Sequence, residues 1–279
     1  MKKMNTLLSI MMLFFVSLSN YGQNLKIMSY NIRLDIASDG DNAWPNRKDF
    51  FTSQIQFYSP DIFGVQEATP NQVVDIASKL NAYDKFGIGR DGEGKGEACT
   101  IYYKKDRFKV QQTNTFWLSE TPTVISKGWD ADYNRVCTYA LFKDLKTKKQ
   151  FWVFNTHLDH VGNKARINGV KLILEKIAAV NTKKDPVFLM GDFNSEPTTP
   201  QILEVKKGMN DTREVSVEKP FGPSGTFNAF KHNEPVKLLI DYIFISKDSG
   251  LTVQKHAVLS DAIDLKYPSD HLPVFIEIN

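Results

Sequence analysis

The chain has 279 residues, 42% hydrophobic and 24% charged, which excludes a disordered or fibrous polymer and supplies enough apolar surface for a sizeable core. Of 35 basic residues, Lys2 and Lys3 lie in an apparent leader; the remaining 33 against 32 acidic ones exclude a broad basic face of the kind that grips nucleic acid. Two cysteines, Cys99 and Cys137, exclude a disulfide framework, and both are expected as buried free thiols although export would permit a bond.

The chain opens with basic "MKKMN", then "LLSIMMLFFVSLS", an apolar run too short to span a bilayer comfortably, then polar "NYGQ". Residues 1–23 are therefore expected to be a secretory signal peptide, and residues 24–279 a single domain, secreted or periplasmic and monomeric. No later run is apolar enough to cross a membrane.

"LKIMSYNIR" alternates and is rich in β-formers, predicting a strand that leads into Asn31. In "WPNRKDFFTSQIQFYSP", Phe51, Ile55 and Tyr58 recur at helical spacing until Pro60. "DIFGVQE" predicts a short buried strand ending on Glu67, and Thr69-Pro70 opens a second helix. "ACTIYYKKDRFKVQQTNTFWL", "VCTYALFKDLKTKKQFWVFNTHL" and "PVFLMGDFN" predict further strands and hairpins. A helix over "NKARINGVKLILEKIAAVN" interrupts them, with Ile167, Val170, Leu174 and Ile177 on its buried face. Strands return in "LLIDYIFIS", "LTVQKHAVLS" and "HLPVFIEI". This pattern predicts helices covering β-sheets packed face to face. The irregular "SETPTVISKGWDADYN" is a candidate cleft rim, and Trp44, Trp117 and Trp129 belong either to a cleft or to the core.

Six of these strand boundaries carry a polar, ionisable or amide side chain: Asn31, Glu67, His157, Asp192 with Asn194, Asp241, and Asp270 with His271. Each alone reads as an ordinary turn or strand terminator. Together they describe one rim lined with oxygen ligands and imidazoles, because a fold gains no stability from collecting uncompensated charge. Carboxylate and amide oxygens without a cysteine cluster suit Mg2+ or Mn2+ better than Zn2+. An ion with few protein ligands points to phosphoryl chemistry on a positioned water. A glycosidase with paired carboxylates would leave the Asn and His positions unexplained.

"MSYNIR", "GVQE", "NTHLDH", "GDFNSEP", "IDYIF" and "SDHLPV" resemble, in order, the signatures of the endonuclease/exonuclease/phosphatase superfamily, from about Lys26 to the C-terminus. The resemblance implies a four-layer α/β sandwich, two mixed β-sheets packed face to face with helices outside. It implies Glu67 as the principal metal ligand, assisted by Asn31 and Asp270. Asp192 would orient or deprotonate the attacking water, and Asn194 would hold the water or the phosphate. His271 would donate to a phosphate oxygen with Asp241 fixing its tautomer, and His157 would contact the phosphate from the other side. Arg135, Arg166 and Asp159 are the candidate substrate-binding residues, and Glu97 is a weaker one.

Leu239 stands where many relatives carry a basic residue, and no Trp-rich segment precedes "SDH", which lowers the DNA-repair reading. "TFWLSETP" and "GWDADYNRVCTYA" resemble the secreted bacterial branch. The expected activity is a metal-dependent phosphoesterase, a diester ahead of a monoester, acting on a lipid headgroup, inositol phosphate or nucleic acid without a stable nucleic-acid partner. The rival is a catalytically silent protein of the same fold that binds a phospho-ligand or glycan.

Overall fold

The computed structural model describes residues 24–279; the expected signal peptide lies outside them. The first half runs β1 (Leu25–Asn31), a 3-10 turn (Ala37–Asn42), α1 (Trp44–Tyr58), β2 (Ile62–Gln66), α2 (Pro70–Lys79), β3 (Tyr83–Phe86), β4 (Ile101–Lys104) and β5 (Phe108–Trp117). Then come β6 (Val136–Asp144), β7 (Gln150–His157), α3 (Asn163–Val180), β8 (Val187–Asp192), α4 (Pro200–Gly208), β9 (Met209–Asp211) and α5 (Thr212–Val215). The chain closes with β10 (Asp241–Ser246), β11 (Val253–Val258) and β12 (Val274–Ile278).

Two six-stranded sheets form, ordered β11-β12-β1-β2-β4-β3 and β5-β6-β7-β8-β10-β9. Each is mixed: β1 pairs parallel with β2 and β7 parallel with β8, while the remaining pairs are antiparallel. Three buried clusters separate four layers, as the sequence predicts. Ile27, Ile62, Val153, Phe188, Met190 and Ile243 fill the space between the sheets. Met28, Tyr30, Phe63 and Val65 face α1 and α2, and Phe154, Leu189, Tyr242 and Phe244 face α3 and α4.

Strand alternation explains where the site falls. Side chains point to opposite faces every residue, so on β1 the residues in step with Ile27 are Ser29 and Asn31. On β7, Asn155 and His157 are in step with Val153, and on β8 Asp192 is in step with Phe188 and Met190. On β10, Asp241 is in step with Ile243. Each strand thus carries its inward apolar series to a polar residue at the same edge of the sandwich.

Just beneath that edge lies a buried polar layer that joins the sheets. Gln66 Nε2 donates to Asn155 Oδ1 at 2.6 Å, and Asn155 Nδ2 donates to the carbonyls of Val65 and Thr100. Gly64 makes room for it, since a Cβ there would stand 2.7 Å from Asn155 Cγ.

The helices follow their sequence signals with one rotation. Thr69 and Gln72 form a capping box with Pro70 in the first turn of α2. On α3 the buried face is Ala165, Gly169, Val170 and Ile173, with Leu174 and Ile177 partly covered. Ile167 is half-buried, because the small Ala165 and Gly169 let the helix approach the sheet on a face turned away from it. Cys99 and Cys137 are buried free thiols, and Trp44 and Trp117 belong to the core. No helix among the described residues is long and apolar enough to cross a membrane.

Two predictions concern stability. Asn155→Leu removes the donor to two carbonyls and strands Gln66; it should cost about 3 kcal/mol in denaturant unfolding at unchanged secondary structure. His256 donates through Nδ1 to Thr212 Oγ1, whose hydroxyl is committed to the Ile243 carbonyl, and its Nε2 is buried without a partner. Burial, then the charge of Arg213, pulls its pKa from 6.5 down to about 3. The unfolded chain binds this proton below its ordinary pKa and the folded chain does not. Stability should therefore be full above that value and fall by about 2 kcal/mol between pH 7 and pH 5. His256→Gln should flatten that part of the profile, as read from urea unfolding at several pH values.

Candidate active site

The polar edge gathers residues from both sheets. Strand register places Asp192 beside His157 on one side and Asp241 on the other. Gly191, with φ +147°, presses its α-carbon against β7, where a Cβ would lie 2.0 Å from the Thr156 carbonyl. Asn31 ends β1 opposite Gln66, and Glu67 follows immediately. The segment before β12 is laid over them: Ser269 Oγ donates to the Asn31 carbonyl at 2.8 Å, and the Asp270 carbonyl accepts from the amides of Asn228 and Ala229.

Arg47, a residue that the sequence reading passed over, locks this assembly from α1. Its buried guanidinium donates to the carbonyls of Ile32, Arg33, Asn42 and Pro268. Three non-glycine residues at the edge hold left-handed backbone, Arg33 (φ 55°), Glu67 (φ 62°) and Asn194 (φ 45°). Such conformations cost about 1–3 kcal/mol each and persist where surrounding contacts impose them.

Asn31 joins the two sheets' acids. Its Nδ2 donates to Glu67 Oε1 at 3.0 Å and to Asp192 Oδ2 at 2.9 Å, while its Oδ1 accepts from the Arg33 amide. The amide nitrogen therefore faces the acids, and the oxygen, with one lone pair engaged by the Arg33 amide, keeps a second. Glu67 Oε2 accepts from the Leu34 amide at 3.0 Å.

Around Asp192 the groups divide by charge. Its Oδ1 accepts from the Asn194 amide at 2.8 Å, and its Oδ2 lies 3.5 Å from His157 Nε2 and 3.8 Å from His271 Nε2. Burial, then the repulsion of Asp241, pushes Asp192 up to about 7, against the pull of His271. That range suits a carboxylate that takes a proton from water near neutral pH.

His271 Nδ1 contacts Asp241 Oδ2 at 2.9 Å, and the Phe227 ring packs edge-on against the imidazole at 5.0 Å. Burial alone would lower its pKa. Asp241, then Asp192 and Asp270, outweigh burial and hold it well above its ordinary value, so both nitrogens carry protons and Nε2–H is a donor. His157 is the opposite case: burial, then Arg135 and His271, keeps it neutral.

Asn194 spends its Nδ2 protons on the Leu158 carbonyl and on His157 Nε2, at 3.0 and 3.1 Å. A neutral His157 accepts through Nε2 and so orients Asn194. Asn194 Oδ1 accepts no protein hydrogen bond among the described residues.

Two oxygen-ligand sets suit a metal differently. Asp192, Asp241 and His271 bring ligand atoms within 4.8 Å of one another. In that group Asp241 already engages His271 through Nδ1 at 2.9 Å, so the imidazole turns only Nε2 to the site. Glu67 and Asp270 fit better. Asp270 is pushed up by burial, eased by His271 and raised again by Glu67, and its nearest cation, Arg33 Nε, stands 3.9 Å away while paired at 2.9 Å to Asp39. Glu67 and Asp270 supply only oxygen, the donor chemistry of a hard divalent ion.

The candidate substrate residues separate. Asp159 is turned onto backbone, accepting from the amides of Asp132, Val161 and Gly162, and so anchors the loop after β7. Arg166 donates to the Asp159 carbonyl and to Asn163, on the wall of a cleft of about 280 Å³ that starts at Asn194. Arg135 lines a narrow recess with Glu67 and His157; Glu97, in the same recess, pairs with Arg90 at 2.8 Å. The rim loop after β5 supplies Asn134, which donates to Asp91 at 2.9 Å.

Comparison with known proteins agrees with this construction. The sequence model of the Endonuclease/Exonuclease/phosphatase family matches residues 28–271. The solved structure of a mannosyl-6-phosphatase from Bacteroides thetaiotaomicron superposes with a TM-score of 0.87 at 37% identity, covering 91% of this chain and 99% of that one. An uncharacterized protein of Acanthamoeba polyphaga mimivirus is 27% identical over 84% of this chain and 91% of its own length. A probable RNA exonuclease of Schizosaccharomyces pombe is 25% identical over 72% of this chain, which spans only 44% of that protein. With two mixed sheets, six ordered motifs and a buried carboxylate between two imidazoles, the chain belongs to the endonuclease/exonuclease/phosphatase family of phosphoester hydrolases.

Proposed function

We propose that this protein is an exported hydrolase, dependent on Mg2+ or Mn2+, that removes phosphate from a phosphomonoester carried on a sugar-like group. The observation that carries the reading is the face that Asp192 presents. A carboxylate poised near neutrality and an Asn194 oxygen free to accept lie on one side, with the protonated His271 Nε2 3.8 Å away.

In this reading Asp192 and Asn194 hold and deprotonate the attacking water. His271 donates to a phosphate oxygen, and Asp241 keeps it charged as negative charge builds up. Glu67 and Asp270 would hold the ion, which when bound supplies Lewis-acid neutralisation of the phosphate oxygens. Asn31 fixes Glu67 relative to Asp192, so that ion and base keep a constant separation. The basic, then apolar leader supports export, and activity is assigned to the monomer.

The similarity to a mannosyl-6-phosphatase favours a monoester over the diester that the sequence reading put first. A second reading, a nucleic-acid diester, draws support from the relative named as an RNA exonuclease. The near balance of basic and acidic residues weighs against it. An intact set of base, donor and metal oxygens argues for catalysis over silent binding.

The purified protein should hydrolyse mannose 6-phosphate faster than bis(p-nitrophenyl) phosphate in Mg2+ or Mn2+, and lose the activity on chelation. His271→Ala should lower kcat/KM by about 100- to 10,000-fold. Chelator-resistant turnover would refute metal dependence. Asp241→Asn should move the alkaline limb of the pH–rate profile to lower pH, because His271 loses the carboxylate that holds its proton. An unmoved limb would take His271 out of the protonated role.

A further inference from the structure

Buried arginines in this fold show what a satisfied guanidinium looks like. Arg47 donates to four carbonyls. Arg107 reaches Asp61 at 2.6 Å and Asp144 at 3.0 Å. Arg135 is different. It is 6% exposed, yet its guanidinium makes a single hydrogen bond, from Nη2 to His160 Nδ1 at 3.2 Å, and its buried Nε has no partner.

The nearest carboxylate does not fill the gap. Asp159 Oδ2 stands 3.7 Å from Nε, close enough for charge but beyond a hydrogen bond, and that carboxylate is held toward three backbone amides. Glu97 belongs to Arg90. Tyr133 supports Arg135 from the rim, its ring centroid 6.0 Å from the guanidinium carbon, and the same ring carries Arg90 at 4.6 Å. A guanidinium has five donors in a fixed fork, and leaving them unmet in a buried place is costly. This fork is held firmly beside a recess whose other walls include Glu67 and His157.

We propose that Arg135 is a specificity residue that pairs with the third terminal oxygen of a dianionic phosphomonoester, and so sets the preference for monoesters over diesters. The inference rests on reading the site as a phosphoester hydrolase. A monoester presents three strong acceptor oxygens and, above its second ionisation near pH 6, a second negative charge. Arg135 answers that oxygen with a charge-assisted bond. In a diester the same oxygen carries carbon, and the guanidinium stays unpaired in the complex.

The test compares wild type, Arg135→Met and Arg135→Lys in Mg2+, each checked for folding by circular dichroism. Mannose 6-phosphate and bis(p-nitrophenyl) phosphate are the substrates, and calorimetric binding of inorganic phosphate is measured alongside. The monoester-to-diester ratio of kcat/KM should fall about 100-fold in Arg135→Met. The rise in monoester rate as the substrate becomes a dianion near pH 6 should flatten, and phosphate should bind at least about tenfold more weakly. Arg135→Lys, which keeps the charge without the fork, should fall between, and it carries the test if the Met variant does not fold. Equal loss on both substrates, or an unchanged ratio, overturns the proposal. If wild type turns over neither substrate, the hydrolase reading fails and the phosphate titration decides: weaker binding in the variants sustains Arg135 as a phosphate-dianion site, and unchanged binding removes it.

Discussion

Asn31 donates from one amide nitrogen to Glu67 of its own sheet and to Asp192 of the facing sheet, at 3.0 and 2.9 Å. The half-buried Glu67 and buried Asp192 repel one another, and the shared donor offsets that repulsion. The Arg33 amide fixes which end of Asn31 faces the acids. Arg33 in turn holds left-handed backbone because Arg47 pins its carbonyl from α1. The chain of constraint therefore runs from a helix through one strained loop to the two carboxylates.

Below that contact the sandwich changes character in layers. The apolar inter-sheet core gives way to Gln66 and Asn155, which join the sheets by hydrogen bonds, and then to the ionisable edge. Each step is one or two residues along a strand, so side-chain alternation alone keeps every inward residue of β1, β7, β8 and β10 on the same axis. The polar layer makes the edge rigid while separating its charges from the apolar interior, where they would be far more costly. Environment then assigns the roles. Asp192, shielded and repelled by Asp241, is poised near neutrality, whereas His271, beside Asp241, keeps its proton.

Much of this was legible in the sequence, for physical reasons. Six strands closing on polar residues marked the edge, since alternating runs and turn chemistry are local signals. Thr69-Pro70 marked α2 in the same way. Thr199-Pro200 carries the same signal for α4, and β3, polar and half-exposed, has no alternation to betray it. The motifs bring the expected residues to one edge, but which atom each of them offers there is not a local property. Which end of the Asn31 amide faces an acid, whether Asp159 points at backbone or substrate, and whether a His157 nitrogen gives or accepts are set by partners distant in sequence. Arg47 and Asn155 went unassigned for the same reason, as their contacts span 221 and 90 residues.

In the proposed reading Glu67, rather than the Asp192–Asp241–His271 group, would be the seat of a divalent ion that serves the Asp192 base. Calorimetric titration of Mn2+ into wild type, Glu67→Gln and Asp241→Asn tests it without any substrate. The account predicts saturable binding to wild type, its loss in Glu67→Gln and its retention in Asp241→Asn. Binding that survives in Glu67→Gln and disappears in Asp241→Asn would place the ion among the imidazole and its acids, and would contradict the division of roles drawn from the geometry.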